Sequence, residues 1–310
     1  MQKQVTVRVP ATSANCGPGF DCLGLALTLH NEFTYRISDE SFGFSLTVEG
    51  EGKDRFHASG RNMAFASFLH LWNKVTNRKR IGITLSMRNQ VPQSRGLGSS
   101  STAIVAGITA AGMLSGAGLS DDEILQEATL LEGHPDNVAP AIYGGFTVSI
   151  QEEGRAHTLR LLPRLPLQFI AVVPDTPLST HLARQAIPAQ VAHADAVFNA
   201  SRTALLIAAL EENKPELLRF AWEDRLHQPY RAPLIPGMEA AFAAGEAAGA
   251  YKCIISGAGS TLLAYAAPEQ NGRAIGEAMT RALAEAGQKS VYHLLDLNEK
   301  GTEILRLQND

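Results

Sequence analysis

The chain has 310 residues, of which 45% are hydrophobic and 19% charged, and its formal net charge is −4. This size and composition predict a globular protein with a substantial buried core, arranged as one large domain or two ordinary ones. The weakly acidic balance excludes the basic footprint of a nucleic-acid-binding or anionic-membrane-binding protein, and three cysteines are too few for a disulfide framework or a zinc site. We therefore expect a protein of the reducing cytoplasm, with neither nucleic acid nor membrane as its main partner.

The N-terminus and the uncharged run at residues 96–120 raise the question of membrane association. The N-terminus alternates polar and apolar residues without an apolar core segment, so no signal peptide is expected. The uncharged run is long enough to cross a bilayer, but its glycines, serines and threonines leave only about a dozen apolar residues, the length of a buried helix in a soluble protein. We therefore expect no membrane span.

Strand-like and helix-like patterns alternate in the first half of the chain. Apolar patterns typical of strands occur at residues 4–9, 31–37, 44–48, 82–87 and 144–150. Helical patterns occur at residues 62–75, 103–114 and 121–132. The last of these helices has clear ends, because Ser120 and Glu123 form a capping-box pattern and Gly133 follows Glu132.

A proline-containing segment at residues 161–168 predicts a boundary between domains 1–163 and 164–310. The elements expected beyond it are a strand at 169–173, helices at 189–210 and 236–248, strands at 251–256 and 261–265, a helix at 271–286 and a strand at 291–295. Strands and helices in this mixture predict an α+β protein in which helices cover antiparallel sheets.

The segment PQSRGLGSSST, Pro92 to Thr102, lies directly before a predicted helix. Its glycines allow several amides to point inward, and the helix start adds unsatisfied amides and a positive dipole end, which together favour a phosphate. The four hydroxyl residues from Ser99 to Thr102 could cap the helix, contact phosphate or hold magnesium. The pattern matches neither the G-x-x-x-x-G-K-[ST] loop nor the G-x-G-x-x-G loop, and an ordinary capping turn is the alternative.

Two further segments concentrate polar residues in tight loops. VPATSANCGPGFDCLG, Val9 to Gly24, contains Asn15 and Asp21, which in an ordinary turn would cap the local backbone. LEGHPDNVAPAIYGG, Leu131 to Gly145, gathers Glu132, His134, Asp136 and Asn137 where a helix ends. By themselves these residues fit either a hydrophilic loop or a polar site.

Taken together with SGAGSTLL, Ser256 to Leu263, these segments resemble the family of small-molecule kinases named for galactokinase, homoserine kinase, mevalonate kinase and phosphomevalonate kinase, and within it the homoserine kinases. The resemblance runs from Val9 to about Tyr265, with four motifs in the same order. It implies an N-terminal half like a domain of ribosomal protein S5 and a ferredoxin-like C-terminal half. The implied reaction converts ATP and L-homoserine into ADP and O-phospho-L-homoserine, on the route to threonine.

The resemblance also implies roles for individual residues. The implied nucleotide-binding residues are Asn62, Pro92, Gln93, Ser94, Arg95, Gly96, Leu97, Gly98, Ser99, Ser100, Ser101 and Thr102. Ser100 and Glu132 are the matching pair for a magnesium ion. The implied substrate-binding residues are Asn15 for the reacting hydroxyl, Asp21 for the ammonium, Arg184 and Arg231 for the carboxylate, and Thr180 and His134 for the pocket wall.

The fate of the hydroxyl proton is left open by the sequence. Asp136 could act as a general base, as an aspartate does in some kinases of the wider family. In the resemblance to homoserine kinases, Asn137 and not Asp136 takes the place of that aspartate, which leaves no obvious base. We therefore expect direct in-line attack by the substrate hydroxyl, with Asp136 as the alternative base. There are two alternative functions: a sister kinase that acts on mevalonate, shikimate or a sugar, and a non-catalytic ligand-binding relative. A homodimer is possible as the oligomeric state.

Overall fold

Two β-sheets organise the chain in the computed structural model, which describes residues 2–39, 42–54, 62–77 and 81–309. The elements of the first part are β1 (Gln2–Ala14), β2 (Leu23–Ser38), β3 (Gly43–Gly50), α1 (Met63–Val75), β4 (Gly82–Asn89), α2 (Ser99–Ser115), α3 (Asp121–Glu132), α4 (Pro135–Tyr143), β5 (Phe146–Glu152) and β6 (Arg155–Leu161). Those that follow are β7 (Gln168–Pro174), α5 (Thr180–Gln185), α6 (His193–Glu211), α7 (Pro215–Ala221), α8 (Gln228–Arg231), α9 (Met238–Ala247), β8 (Lys252–Ile255), β9 (Leu262–Ala266), α10 (Gly272–Glu285), β10 (Ser290–Leu295) and β11 (Glu303–Asn309).

The first sheet has the strand order β11-β1-β2-β4-β3, with β5 and β6 continuing from the beginning of β2. All its pairs are antiparallel except β3 with β4, which α1 connects. Alternate residues of β2, Phe33, Tyr35 and Ile37, are buried with side chains of α1 and α2. The core of this half therefore lies between the sheet and its helices.

Helix α2 explains the long uncharged run in the sequence. Most of its residues are buried, because α1, α3, α4 and the first sheet surround it. It begins at Ser99, four residues before the predicted start at 103, because Gly98 adopts a left-handed conformation with φ of +67° and ends the preceding loop. Within the described residues, no helix combines the length and apolar composition needed to cross a bilayer.

The second sheet has the strand order β10-β7-β9-β8, and every neighbouring pair is antiparallel. In chain order these are the fourth, first, third and second strands, the arrangement of a ferredoxin-like βαββαβ unit. Helix α10 connects β9 to β10, whereas α5 to α9 fill the connection between β7 and β8. This half therefore has the ferredoxin-like topology that the sequence resemblance implies.

The chain passes from the first sheet to the second between Leu161 and Gln168, within the proline-containing segment. After β10 it returns, and β11 pairs with β1 in the first sheet. The sequence analysis did not predict β11, and residues 303–309 contribute to the sheet of the N-terminal half. For the rest of the chain, the domain boundary at residue 163 stays a prediction.

Candidate active site

A cavity of about 460 Å³ lies between the two halves of the molecule. It brings together segments that are far apart in the chain, and most of the predicted site residues line it. Those that do are Asn15, Asp21, Asn62, Gln93, Ser94, Arg95, Gly96, Gly98, Ser99, Ser100, Glu132, His134, Asp136, Asn137, Thr180, Arg184 and Arg231.

Four predicted nucleotide-binding residues do not line this cavity. Pro92 borders a neighbouring cavity, and Leu97 is fully buried in the core. The hydroxyl of Ser101 donates to Glu132, and that of Thr102 donates to the carbonyl oxygen of Ser99. The side chains of these residues therefore shape the loop and the helix start.

The loop before α2 has the geometry of an anion site. Gly96 and Gly98 have φ of +76° and +67°, and a Cβ at either position would lie about 2 Å from Ser256 O or Thr12 Oγ1 respectively. Glycine is therefore required at both positions. Among the described residues, the amides of Ser99, Ser100 and Ser101 meet no acceptor, and the first turn of α2 has no acidic residue. These amides and the helix dipole provide a site for an anion such as phosphate.

The motif at Ser256 to Leu263 supports this loop from the second half of the molecule. The hydroxyl of Ser256 donates to Gly96 O at 2.7 Å, and the amide of Thr261 donates to Arg95 O at 3.0 Å. The guanidinium of Arg95 donates to Pro174 O at 2.8 Å and to Gln93 O at 2.9 Å. Arg95 thus holds the loop against β7.

A half-buried carboxylate lies beside the anion site. Glu132 is the last residue of α3, whose capping box at Ser120 and end at Gly133 are as predicted. Its carboxylate accepts from Ser101 Oγ at 2.8 Å and from Ser100 Oγ at 3.4 Å. Burial raises the pKa of Glu132, and the nearby charge of Asp136 raises it further, while the two hydroxyls act in the opposite direction. A cation would stabilise the ionised carboxylate here.

The donor set around Glu132 fits magnesium better than a transition metal. It consists of a carboxylate and a hydroxyl oxygen, and magnesium prefers oxygen ligands while keeping several waters and phosphate oxygens. Among the residues that the structure describes, no cluster of three or more histidines, cysteines or carboxylates could form a closed metal site. The two oxygen donors of Ser100 and Glu132 would leave the remaining coordination positions of a magnesium ion to water and phosphate oxygens.

His134 and Asp136 form a close pair at the start of α4. His134 Nδ1 lies 2.5 Å from Asp136 Oδ1, and Asn137 Nδ2 donates weakly to the same oxygen at 3.4 Å. Burial alone would lower the pKa of His134, but the hydrogen bond to Asp136 and the charges of Asp136 and Glu132 raise it. Asn137 Oδ1 accepts from Thr12 Oγ1 at 2.8 Å, which fixes the orientation of its amide.

Asn15 and Asp21 lie in the tight loop between β1 and β2. Both have left-handed backbone conformations, with φ of +71° and +56°, which asparagine and aspartate tolerate better than most residues. Asn15 Nδ2 donates to Gly257 O at 2.9 Å, and Asn15 Oδ1 accepts from the amide of Asp21 at 3.0 Å. The loop is thereby tied both to itself and to the second half of the molecule.

Two guanidinium groups and one carboxylate meet around Phe20. Arg184 pairs with both oxygens of Asp21, at 2.8 and 3.0 Å, and each of these side chains is a little more than one-third exposed. The Cζ atoms of Arg184 and Arg231 lie 5.6 and 5.4 Å from the centre of the Phe20 ring. This corner of the cavity therefore presents two guanidinium groups and one carboxylate to a ligand.

Arg231 is buried without a carboxylate partner within salt-bridge distance among the described residues. It donates to Gly257 O at 2.9 Å and to Ala183 O at 3.3 Å. Burial, together with the charge of Arg184, lowers the pKa of Arg231 to about 10. An anionic group that reached Arg231 would offset the cost of its burial.

The opposite end of the cavity is an apolar slot that the sequence analysis did not predict. Its lining includes Phe33, Met63, Met87 and Ala103, besides Asn62 and Asn89. Within the described part of the chain, Asn62 Nδ2 and Asn89 Oδ1 are buried without a hydrogen-bond partner. One donor and one acceptor therefore remain unpaired beside the apolar walls of the slot.

Comparisons with known proteins agree with this architecture. Residues 62–145 match the GHMP kinases N terminal domain, and residues 206–285 match the GHMP kinases C terminal domain. The chain is 43% identical to a homoserine kinase of Picosynechococcus sp. over 97% of this chain and 99% of the relative. It is 40% identical to a homoserine kinase of Desulfitobacterium hafniense over 97% of this chain and 100% of that protein.

Solved structures give the same result for the fold. The crystal structure of a homoserine kinase from Cytophaga hutchinsonii superposes with a TM-score of 0.87 at 29% identity, covering 97% of both chains. The L. major mevalonate kinase, solved with R-mevalonate, superposes with a TM-score of 0.70 at 15% identity over 96% of both chains, a likeness of fold alone.

Proposed function

Because this chain belongs to the homoserine kinases of the GHMP kinase family, we propose that it transfers the γ-phosphoryl group of ATP to the hydroxyl of L-homoserine, giving ADP and O-phospho-L-homoserine. One observation in the cavity supports this substrate more than any other. Asp21, Arg184 and Arg231 form a complement to an α-amino acid, because a carboxylate can bind to guanidiniums while an ammonium binds to Asp21. Sister substrates such as mevalonate, shikimate or a sugar have no ammonium for Asp21.

The nucleotide fits the remaining parts of the cavity. We place the adenine in the apolar slot, where Asn62 Nδ2 can donate to a ring nitrogen and Asn89 Oδ1 can accept from the exocyclic amine. We place the triphosphate on the loop of Gly96 and Gly98 and on the free amides at the start of α2. ATP use follows from membership of the kinase family, whereas these individual contacts are part of the proposal.

Ser100 and Glu132 would hold the magnesium ion that we propose as the cofactor. When bound, the metal neutralises negative charge that spreads over the phosphoryl oxygens during transfer. The protein's own contribution is to keep Glu132 ionised and oriented through the hydroxyls of Ser100 and Ser101. The amides of the loop add hydrogen bonds that do not need to reorganise during the reaction.

We propose that the substrate hydroxyl attacks directly, in line with the leaving group. Asn15 would orient the hydroxyl, and Thr180 and His134 would complete the wall beside it. Asp136 is the alternative general base, but its carboxylate is already engaged by His134, with 2.5 Å between Asp136 Oδ1 and His134 Nδ1. This pairing supports proton loss to phosphate or solvent rather than to Asp136.

The reaction can be tested by coupled measurement of ADP release with and without L-homoserine. We expect turnover that depends on L-homoserine and on magnesium, and none above background with mevalonate, shikimate or a sugar. Turnover with one of those substrates instead would assign the chain to a sister kinase. ATP binding without any turnover would indicate a ligand-binding relative.

We also infer a cytoplasmic location, which the three free cysteines support because a reducing compartment preserves them. The oligomeric state, including a homodimer, is open to measurement by light scattering.

A further inference from the structure

Behind the corner of the cavity that contains Asp21, Arg184 and Arg231 lies a buried group of polar residues that the proposed mechanism does not use. The side chains of Asp224 and His227 are completely buried, and His227 lies one helical turn before Arg231. Neither residue lines the cavity. A buried polar group of this kind needs a full set of hydrogen bonds, and these bonds show what the group holds in place.

Asp224 fixes the backbone that leads into α8. Its Oδ1 accepts from Asn199 Nδ2 at 2.7 Å and from the amide of Leu226 at 3.0 Å. Its Oδ2 accepts from the amides of His227 at 3.0 Å and Gln228 at 2.6 Å. Four donors therefore hold one carboxylate, which makes the start of α8 rigid.

The partners of His227 determine its tautomer. His227 Nε2 lies 2.7 Å from the carbonyl oxygen of Gly17, which can only accept, so Nε2 carries the hydrogen. His227 Nδ1 lies 3.2 Å from Arg231 Nη1, which can only donate, so Nδ1 must be the acceptor. The imidazole is therefore neutral. Consistent with this geometry, burial and the charge of Arg231 lower the pKa of His227 and outweigh the opposing charge of Asp224, whose Oδ2 lies 3.6 Å from Nε2.

The guanidinium of Arg231 is held on three sides. Nη1 donates to both His227 Nδ1 and Gly257 O, and Nε donates to Ala183 O. Arg231 lines the cavity, and Nη2 has no partner among the residues that the structure describes. The plane of the guanidinium is thus set before any ligand arrives, with one nitrogen left to bind it.

From these contacts we propose that His227 is a positioning residue for substrate recognition: its neutral Nδ1 orients the guanidinium of Arg231 for the carboxylate of the substrate. The inference rests on the proposed function, in which Arg231 binds the carboxylate of L-homoserine. It adds a residue that does not touch the substrate and yet sets its affinity.

Two substitutions separate the two bonds of His227. In His227→Asn the side-chain oxygen replaces Nδ1, so the acceptor for Arg231 is kept and the bond to Gly17 is lost. In His227→Gln the side-chain amide replaces Nε2, so the bond to Gly17 is kept and the acceptor for Arg231 is lost. We expect His227→Gln to raise the KM for L-homoserine about tenfold and His227→Asn to raise it only about threefold, since one hydrogen bond to a charged group is affected.

Two further readouts distinguish positioning from a general structural role. The KM for ATP should change less than about twofold in both variants, and a lower fraction of folded enzyme would reduce kcat without changing KM. The amino alcohol that lacks the carboxylate should have a similar KM on the wild type and on both variants. Equal rises of the homoserine KM in both variants, a larger rise in His227→Asn, or an equal rise for the amino alcohol would overturn the inference. If the wild type itself showed no homoserine turnover, the proposed function would fail instead.

Discussion

Substitution of Asp21 by asparagine should change which substrates the enzyme prefers. Without substrate, Asp21 pairs with Arg184. A ligand whose carboxylate binds Arg184 displaces the carboxylate of Asp21, which then needs a new partner. L-Homoserine supplies that partner through its ammonium. The deaminated analogue, 4-hydroxybutanoate, has the same carboxylate and reacting hydroxyl but no ammonium, so it must compete with Asp21 for Arg184.

The magnitudes follow from the exposure and the charge of these groups. The pair between Asp21 and Arg184 is more than one-third exposed on both sides, so it is worth about 0.5–1 kcal/mol. A charge-assisted hydrogen bond from the ammonium is worth about 1.5–3 kcal/mol. Asp21→Asn should therefore lower kcat/KM for L-homoserine about 10- to 150-fold. The same change should raise kcat/KM for the analogue about two- to fivefold.

The assay is ADP release with each substrate at a fixed saturating ATP concentration. Asparagine tolerates the φ of +56° at position 21, so the backbone of the loop can stay unchanged. Asp195→Asn is a matched control, because it removes a comparable ion pair with Arg225, 3.1 Å long and away from the cavity, and should affect neither substrate. If Asp21→Asn lowered kcat/KM for both substrates by the same factor, Asp21 would act by shaping the loop and not by binding the ammonium of the substrate.

Four other results are expected. Glu132→Gln should reduce kcat about 10²- to 10³-fold while the circular dichroism spectrum stays native, and magnesium with ATP should raise the Tm of the wild type but not that of the variant. Asp136→Asn should reduce kcat less than about tenfold under direct attack, whereas a loss of about 10²- to 10⁴-fold would identify a general base. Arg231→Leu and Arg184→Leu should each raise the KM for L-homoserine about 10- to 100-fold and leave the KM for ATP unchanged; equal effects on ATP would contradict the carboxylate assignment. Because the folded-state pKa of His227 is lowered, its contribution to stability is complete above the unfolded value of 6.5 and is lost as the pH falls below it. Urea unfolding should therefore show the wild type and His227→Asn converging in stability toward about pH 5, and a constant difference would contradict this.

Features that depend on neighbouring residues could be predicted from the sequence. The ends of α3 are set by the capping box at Ser120 and by the left-handed Gly133, both within one turn of the helix. The start of α2 was predicted four residues late, because a run of serines has no helical periodicity and only the conformation of Gly98 shows where the helix begins. Strand β11 was not predicted, since its partner β1 is almost the whole chain away.

The same distinction applies to the site. The motifs around Gly96, Glu132 and Asp21 are local, and all three line the same cavity, while their individual roles stay a prediction. Asn89 and His227 were not found, because an asparagine at the end of a strand and a histidine before a short helix have no distinctive local pattern. Their importance comes from burial and from tertiary partners, which only the folded chain supplies.

The pairing of β11 with β1 has a consequence for protein synthesis. During translation the first sheet has its inner strands long before residues 303–309 leave the ribosome, so the outer edge of β1 stays open for most of that time. An unpaired strand edge is a template for association with other chains, and closing so long a loop makes this pairing slow. Nascent chains should therefore depend on chaperones late in synthesis, and removal of residues 303–309 should cause aggregation of the N-terminal half rather than the loss of a dispensable tail.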